Sequence, residues 1–282
     1  MATSSSTRTP ATPVRVTVVR EDGASRRREQ IAGEEPLEIR AQGPGQDPVR
    51  VAVTMRTPGN DYELAAGFMY GEGLITPEDI ATIRYCTPAD EEQRYNVLSV
   101  DLRRPFDPGV FERNFYAASS CGVCGKASID AIEVRCDVVR DEVRVASTVI
   151  ASLPATLRGA QRLFDATGGL HATGLFTLGG ELLAAREDVG RHNAMDKLIG
   201  HELLEGRLPL AERIVLVSGR ASFELVQKAA VAGAPIMCAV SAPSTLAVET
   251  ARRLGVTLVG FLREDRFTIY AHGERIEIGA PA

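Results

Sequence analysis

Hydrophobic and polar positions alternate through the first half of the chain, whereas the second half mixes short apolar runs with helical spacing. In the first half, alternation and β-branched residues predict strands over 14–20, 36–40, 49–55, 83–86 and 96–102. The turn Thr57-Pro58-Gly59-Asn60 precedes a helix predicted over 61–70, which Asn60 is expected to cap. Thr76 to Asp79 has the spacing of a capping box for a short second helix.

The second half predicts a regular order of helices and strands. We expect a helix over 155–164, a hairpin over 174–185 that turns at Gly179-Gly180, and a helix over 192–204. Strands predicted at 214–217, 236–240 and 257–261 alternate with helices at 222–232 and 246–254. Because these strands are apolar throughout, they are typical of a parallel sheet covered on both faces. The loops that follow them should therefore meet at one edge, where ligands bind in open α/β sheets.

These elements predict a mixed α/β (α+β) chain, and 282 residues suit about two domains. We assign a disordered tail to 1–13, a strand-rich N-terminal domain to 14–150 and a second domain to 151–282. The tail lacks the apolar segment of a secretion signal, and no apolar run is long enough to span a bilayer, so a cytoplasmic protein without membrane contact is expected. The formal net charge of −5 argues against nucleic-acid binding.

Cys121 and Cys124 stand out among five cysteines, because they lie in the segment Ser-Ser-Cys-Gly-Val-Cys-Gly-Lys at 119–126. The glycines predict an exposed loop, and Lys126 favours a thiolate. We favour a nucleophilic or sulfur-bearing cysteine. A zinc half-site, a thioredoxin-type redox pair and inert cysteines stay open as alternatives, although zinc needs two further ligands and the redox pair normally follows a strand.

Two further polar clusters point to an anionic ligand. Arg191 and His192 begin a predicted helix within the charged segment 186–197, where Asp188 is a possible cap and His171 a possible neighbour; a plain solvated helix start is the alternative. The loops after the predicted parallel strands hold hydroxyl and guanidinium groups that suit phosphates, although each loop alone fits simple N-capping. The residues concerned are Ser218, Arg220, Ser222, Ser241, Ser244, Arg263 and Arg266.

At these residues the chain resembles the FdhD/NarQ family, the formate dehydrogenase accessory sulfurtransferases. The matching segments are 35–39, 57–61, 119–126, 186–197, 218–228 and 241–244. The resemblance implies that Cys121 carries sulfur as a persulfide supplied by a cysteine desulfurase. It implies transfer to the molybdenum of a bis(molybdopterin guanine dinucleotide) cofactor, bis-MGD, before insertion into formate dehydrogenase. It also implies a homodimer.

The same resemblance implies a cofactor-binding stretch, which we extend with residues from the neighbouring loops. The stretch corresponds to Phe261, Leu262, Arg263, Glu264, Asp265 and Arg266, and we add Ser218, Arg220, Ser241, Arg191 and His192. A guanine nucleotide such as GDP is expected in the same pocket. Cys124 is expected to resolve or receive the sulfur. The main alternative function is a dithiol oxidoreductase that uses Cys121 and Cys124, and a cofactor-binding chaperone without covalent sulfur is a third.

The family is similar to cytidine deaminases in its C-terminal fold, which implies a three-layer domain here. Zinc deaminases place H-x-E at the start of the second helix and P-C-x-x-C at the third. His192 has the position of that histidine, but Ala194 replaces the glutamate and no cysteine begins the third helix. We therefore expect a pocket without bound metal and without hydrolytic chemistry.

Overall fold

A computed structural model of the chain describes residues 9–86, 95–107, 109 and 136–279. Cys121, Cys124, the loop predicted around them and the helix predicted from residue 128 lie outside the described residues. The described residues form a mixed α/β fold, as the sequence predicts.

The N-terminal half contains a two-stranded arm and a four-stranded sheet. The arm consists of the antiparallel strands β1 (Ala11–Arg20) and β2 (Gly23–Ala32). The sheet contains β3 (Glu35–Gln42), β4 (Val49–Arg56), β5 (Ile80–Tyr85) and β6 (Val97–Leu102), in the order β4-β3-β6-β5. Helix α1 (Asp61–Gly71) covers one face, because β3 directs every second side chain towards it. The core between them includes Leu37, Ile39, Leu64, Met69, Leu98 and Val100.

The second half is built around a six-stranded sheet. Its elements are β7 (Val145–Ala146), α2 (Ser147–Ala160), α3 (Arg162–Thr167), β8 (His171–Thr177), β9 (Leu182–Asp188), α4 (Arg191–Leu204), β10 (Arg213–Val217), α5 (Phe223–Val231), β11 (Ile236–Ala239), α6 (Thr245–Leu254), β12 (Thr257–Gly260), β13 (Thr268–Ala271) and β14 (Ile276–Glu277). The sheet order is β13-β12-β11-β10-β8-β9, and β7 pairs with β14. Strands β10, β11 and β12 are parallel, which confirms the prediction.

Helices cover both faces of this sheet and give three layers. Leu153 and Leu157 of α2 pack on one face with Ile214 and Cys238. Helices α4, α5 and α6 pack on the other face through Met195, Leu198, Leu225, Val226, Ala247 and Leu254. The strands are apolar on both sides because both sides are buried.

Several sequence predictions at element ends are wrong. Strand β1 begins at Ala11, so 11–13 are not part of a disordered tail; they pair with the end of β2. Strand β2 was not predicted, because its arginine-rich sequence does not alternate. The helix predicted over 155–164 is two helices, α2 and α3, divided at Gln161. The domain boundary proposed at residue 150 therefore falls within α2.

The two capping predictions in the first half have opposite outcomes. Asn60 has a left-handed backbone with φ of 57° and makes no side-chain cap hydrogen bond within the described part of the chain. Asp61 instead accepts from the Gly59 amide at 3.2 Å. The capping box of Thr76 and Asp79 is present and begins a short 3₁₀ helix.

Helices α1 and α4 join the two halves by crossing at two glycines. A Cβ atom on Gly67 would lie 1.9 Å from the carbonyl oxygen of Asp196, and one on Gly200 would lie 1.8 Å from that of Glu63. Real Cβ atoms do not approach a backbone so closely, so only glycine permits this contact. The close crossing fixes the N-terminal half against the six-stranded sheet. No helix among the described residues has both the length and the apolar character to cross a membrane.

Candidate functional site

The loops after the three parallel strands meet at one edge of the sheet, as predicted. The Ser241 amide donates to the Gly219 carbonyl at 3.1 Å, and the Phe261 amide donates to the Ser241 carbonyl at 3.2 Å. The Ala221 amide donates to the Ala242 carbonyl at 3.2 Å. These bonds make the three loops one continuous backbone layer rather than three independent caps.

A cavity of about 1130 Å³ opens at this edge. It exceeds the roughly 300–1,000 Å³ of ordinary small-molecule pockets, so it has room for a ligand larger than one nucleotide base and sugar. Helices α2 and α3 form one wall, and the sheet-edge loops form the other. The lining consists of Pro154, Ala155, Leu157, Arg158, Gln161, Phe164, Gly168, Gly169, Leu170, His171, Val189, Ser218, Val240, Leu262, Arg263, Glu264, Asp265 and Arg266.

Three arginines give the cavity cationic groups. Arg158 lies over the Phe164 ring, 4.7 Å from its centre, and pairs with Asp165 at 2.6 Å. Arg263 donates to the carbonyls of Val240 and Leu262, so its guanidinium is anchored to the strand ends. Arg266 lines the same wall. Guanidinium groups bind phosphate oxygens through paired donors, so these arginines suit a phosphorylated ligand.

His171 lies where the cavity meets the end of β10. Burial lowers its pKa, and the nearby Arg191 and His192 lower the pKa further. A Cβ atom on Gly219 would lie 3.4 Å from His171 Nδ1 and 3.6 Å from Arg191 Cδ, so the bare backbone of Gly219 separates these two side chains. This lowering of the pKa favours the neutral imidazole, which offers one donor and one acceptor to a ligand.

Six of the eleven predicted cofactor-binding residues line this cavity: Ser218, Leu262, Arg263, Glu264, Asp265 and Arg266. Ser218 Oγ also accepts from the Ala172 amide at 2.9 Å. The other five predicted residues, Arg191, His192, Arg220, Ser241 and Phe261, lie outside the lining among the described residues. His192 Nε2 lies 3.1 Å from Ser222 Oγ and 3.7 Å from Glu224. Which of the eleven contact a ligand stays a prediction.

The wall formed by α2 and α3 was not predicted from the sequence. Arg158, Gln161 and Phe164 belong to it. The sequence contains one usable signal: Gly168-Gly169 follows the helices directly, and Gly168 ends α3 with a left-handed backbone, φ of 69°. The break at Gln161, which turns Phe164 towards the cavity, has no sequence signal that we recognise.

The charged segment 186–197 mainly joins the two halves of the protein. Arg186 forms an ion pair with Glu63 of α1 at 2.5 Å. Asp188 accepts from the Thr57 amide at 3.0 Å and from Lys197 Nζ at 2.6 Å. Asp188 is not the N-cap residue of α4, which is Gly190, but its Oδ1 accepts from the Gly190 amide at 2.8 Å and so does bind the helix start. Most of these charges bind partners inside the protein, and Arg191 lies beside His171.

Among the described residues, no three His, Cys, Asp or Glu side chains are grouped as a metal site. Ala194 is fully buried beneath the start of α4. The deaminase-like arrangement of the C-terminal domain stays a prediction.

Fold and cavity together define a mixed α/β protein with a large, arginine-lined ligand pocket at the edge of a parallel sheet. The sequence profile of the FdhD/NarQ family matches residues 32–277. The chain therefore belongs to the FdhD/NarQ family.

Related proteins cover nearly the whole chain. A protein named sulfur carrier protein FdhD from Mycolicibacterium paratuberculosis is 51% identical over 269 residues, 93% of this chain and 97% of that protein. One of the same name from Thermoplasma volcanium is 42% identical over 254 residues, 89% of this chain and 90% of that protein. A crystal structure of a protein from Desulfotalea psychrophila, described as a candidate formate dehydrogenase accessory protein, matches with a TM-score of 0.74 and 26% sequence identity. The match covers 95% of this chain and 100% of the chain in that structure.

Proposed function

We propose that this protein is a cytoplasmic sulfur carrier that loads sulfur onto bis-MGD for formate dehydrogenase. Cys121 receives the sulfur from a cysteine desulfurase as a persulfide, and the cofactor is the bound substrate. The single observation that supports this best is the 1130 Å³ cavity with three arginines at the sheet edge. The names of the relatives, sulfur carrier protein, support the same role.

The first step is a thiol exchange. The Cys121 thiolate attacks the outer sulfur of the desulfurase persulfide; a sulfur–sulfur bond forms to Cys121, and the desulfurase cysteine leaves as a thiolate. Attack requires a thiolate, and Lys126 in the same glycine-rich segment favours that form. Cys124 is proposed to act on this persulfide in one of two ways. Its thiolate either attacks the inner sulfur, so that a Cys121–Cys124 disulfide forms and the outer sulfur leaves as hydrosulfide, or attacks the outer sulfur and receives it, so that Cys121 leaves as a thiolate.

The second step depends on how the cavity holds the cofactor. Arg158, Arg263 and Arg266 bind the phosphates of the guanine dinucleotide, and His171 and Ser218 supply further hydrogen-bond partners. A cofactor held in one orientation reacts with the persulfide as if within one molecule, which removes much of the entropic cost of the encounter. The same cavity is proposed to bind GDP alone. A homodimer is part of this proposal and derives from the family resemblance.

The sulfur step is tested by intact and peptide mass spectrometry after incubation with a cysteine desulfurase and cysteine. We expect a gain of one sulfur atom on Cys121, which is lost in Cys121→Ser. Cys238→Ala is a matched control, because Cys238 is fully buried and burial raises the pKa of its thiol far above the usual range. Formation of a Cys121–Cys124 disulfide alone would support the dithiol oxidoreductase instead. If the Cys121→Ala variant still activated formate dehydrogenase as the wild type does, the result would support a cofactor-binding chaperone without covalent sulfur.

The pocket is tested separately by calorimetric titration with GDP. Removing one guanidinium that binds phosphate, in Arg266→Gln, is expected to weaken binding by about tenfold. Arg213→Gln, on the first residue of β10 and outside the cavity, is the control and should bind as the wild type does. Equal affinity in the wild type and Arg266→Gln would contradict the assignment of this cavity.

A further inference from the structure

The break between α2 and α3 carries an unpaired side-chain amide at the wall of the cavity. Gln161 separates the two helices, with φ of −82° and ψ of 70°. Its backbone groups are both bonded, because its N–H donates to the Arg158 carbonyl at 3.3 Å and its carbonyl accepts from the Asp165 amide at 3.0 Å. The residue is only 6% exposed and lines the cavity, and its side-chain amide has no hydrogen-bond partner among the described residues.

A buried amide in this position needs a partner from outside the chain. Most buried polar side chains are hydrogen-bonded, because a buried polar group without a partner loses the bonds that water would give it. The amide of Gln161 lies at the cavity wall, so a ligand in the cavity can reach it. It offers an acceptor oxygen beside N–H donors. The position therefore suits a ligand group that has a donor next to an acceptor.

Glu187 of β9 holds the break in place. Its carboxylate accepts from the backbone amides of Leu163 and Phe164 at 3.0 and 2.8 Å, which joins the start of α3 to the six-stranded sheet. Gln161 directly precedes this anchored turn. A binding group that is already held in place loses less conformational freedom when the ligand arrives, so the anchored turn favours binding.

An aromatic ring lies on the same wall as the amide. Phe164 follows Gln161 by three positions, about one helical turn, and also lines the cavity. Aromatic side chains stack on the flat rings of bases, whatever the base. A ring surface close to a free amide suits a planar heteroaromatic ring with polar groups along one edge.

We propose that Gln161 pairs with the lactam edge of such a ring, the adjacent C=O and ring N–H that guanine and pterin share. Nε2 donates to the ring carbonyl and Oε1 accepts from the ring N–H, so both polar groups of the amide are used at once. This pairing rests on the proposed function and assigns a ring-binding residue for its cofactor. Adenine has the reverse order of donor and acceptor, which a rotated amide also matches. Gln161 therefore adds affinity for the ring rather than choosing between purines.

Calorimetric titration of the full chain with GDP and with inorganic pyrophosphate separates ring binding from phosphate binding. Gln161→Met keeps the length of the side chain but removes both polar groups. It should weaken GDP binding by about tenfold, because two hydrogen bonds are lost, and leave pyrophosphate binding within about twofold of the wild type. Arg266→Gln is the reciprocal control and should weaken the binding of both ligands by a similar factor.

Pterin-6-carboxylate distinguishes the two sources of the lactam edge. Weaker binding of GDP to Gln161→Met assigns the amide to guanine, whereas weaker binding of the pterin alone assigns it to pterin. Gln161→Glu is a second variant that keeps a polar side chain. Its carboxylate accepts from the ring N–H but repels the ring carbonyl, so it should also bind the ring more weakly than the wild type does.

Unchanged binding of both ring ligands by Gln161→Met would overturn the pairing. An equal loss for GDP and pyrophosphate would overturn it as well, because the substitution would then act through the shape of the break. The outcome for the proposed function is separate. A wild type that binds neither ring ligand would contradict the proposed cofactor pocket itself, whereas wild-type binding that Gln161→Met leaves intact would contradict only the pairing.

Discussion

At the scale of single residues, the least expected feature is the number of buried charged side chains. Lys197 and Asp188 are almost completely inaccessible and lie 2.6 Å apart. Arg56 and Asp61 form a second buried pair at 3.0 Å. Buried ions need partners, because their loss of hydration costs several kcal/mol each. These residues are therefore expected to be sensitive to substitution.

Replacing Lys197 by Met should strongly destabilise the protein. Methionine has a similar length but leaves Asp188 as an uncompensated buried charge, for which we expect a loss of about 3 kcal/mol in the free energy of unfolding. Urea unfolding at neutral pH measures this. Arg27→Gln, which breaks an exposed pair whose side chains are 54% and 38% accessible, is the comparison and should cost less than about 1 kcal/mol. A similar loss in both variants would refute the role assigned to Lys197.

Asp79 should make stability depend on pH below about 4. Hydrogen bonds from Arg104 lower the pKa of its carboxyl to about 2, and the Thr76 amide adds a bond of 2.7 Å. A folded pKa below the unfolded value of about 3.9 gives stability that is present above that value and is lost as the pH falls towards the folded pKa.

Asp79→Asn should therefore cost about 1–2 kcal/mol at pH 7, the value being reduced for the exposed Arg104 side chain. The difference between wild type and variant should shrink as the pH falls to about 2.5. Urea titrations at both pH values test this. A constant difference across the range would contradict the assigned pKa.

The predictions made for individual residues succeeded where the partners are close in sequence. Thr76 and Asp79 form the predicted capping box because both partners belong to one turn. Asp188 was expected to act at its own helix start, where it does accept from the Gly190 amide, but it also binds Thr57, 131 positions away in sequence. Charge patterns alone do not reveal such distant partners, so the segment was interpreted as an anion site.

At the scale of elements, the crossing of α1 and α4 is the contact with the strictest geometry. Gly67 and Gly200 lie at the contact, and each backbone touches the opposite helix. Gly67→Ala must separate the helices or distort them, so we expect a loss of about 3 kcal/mol or more in the free energy of unfolding.

Gly159→Ala is the matched control for that variant. Gly159 lies in helix α2, and nothing lies within 4 Å of its missing Cβ. Alanine there should stabilise by about 0.5–1 kcal/mol through helix propensity and a less flexible unfolded chain. Thermal or urea unfolding measures both variants, and the free energy of unfolding should fall in Gly67→Ala and rise in Gly159→Ala. A change of the same sign in both variants would contradict the close crossing.

The elements of the second half could be predicted because each has a strong local pattern. The apolar strands β10, β11 and β12 and the amphipathic helices between them appear within one or two residues of their predicted limits. Strand β2 was not predicted, because its extended conformation depends on pairing with β1 and not on a pattern in its own residues. The wall of the cavity formed by α2 and α3 was not predicted, because the break between these helices at Gln161 has no sequence signal that we recognise.

At the scale of the whole molecule, the two halves are expected to unfold together. Their contact combines the glycine crossing with buried ion pairs between α1, α4 and α5, including Lys228 with Glu72 and Asp196 at 3.2 and 2.8 Å. Separating the halves would expose all these charges without partners. Urea unfolding followed by circular dichroism and by tyrosine fluorescence should give coincident curves. Two separated transitions would show that the halves are independent domains.

Thr57 has a consequence that extends beyond stability. Its hydroxyl accepts from the amide of Val189, and Val189 is part of the cavity wall. The N-terminal half thus shapes the cavity that we propose as the cofactor pocket, although none of its described residues lines that cavity. A chimaera in which an unrelated module replaces residues 9–86 is therefore expected to bind GDP more weakly than the wild type, even with every cavity arginine in place.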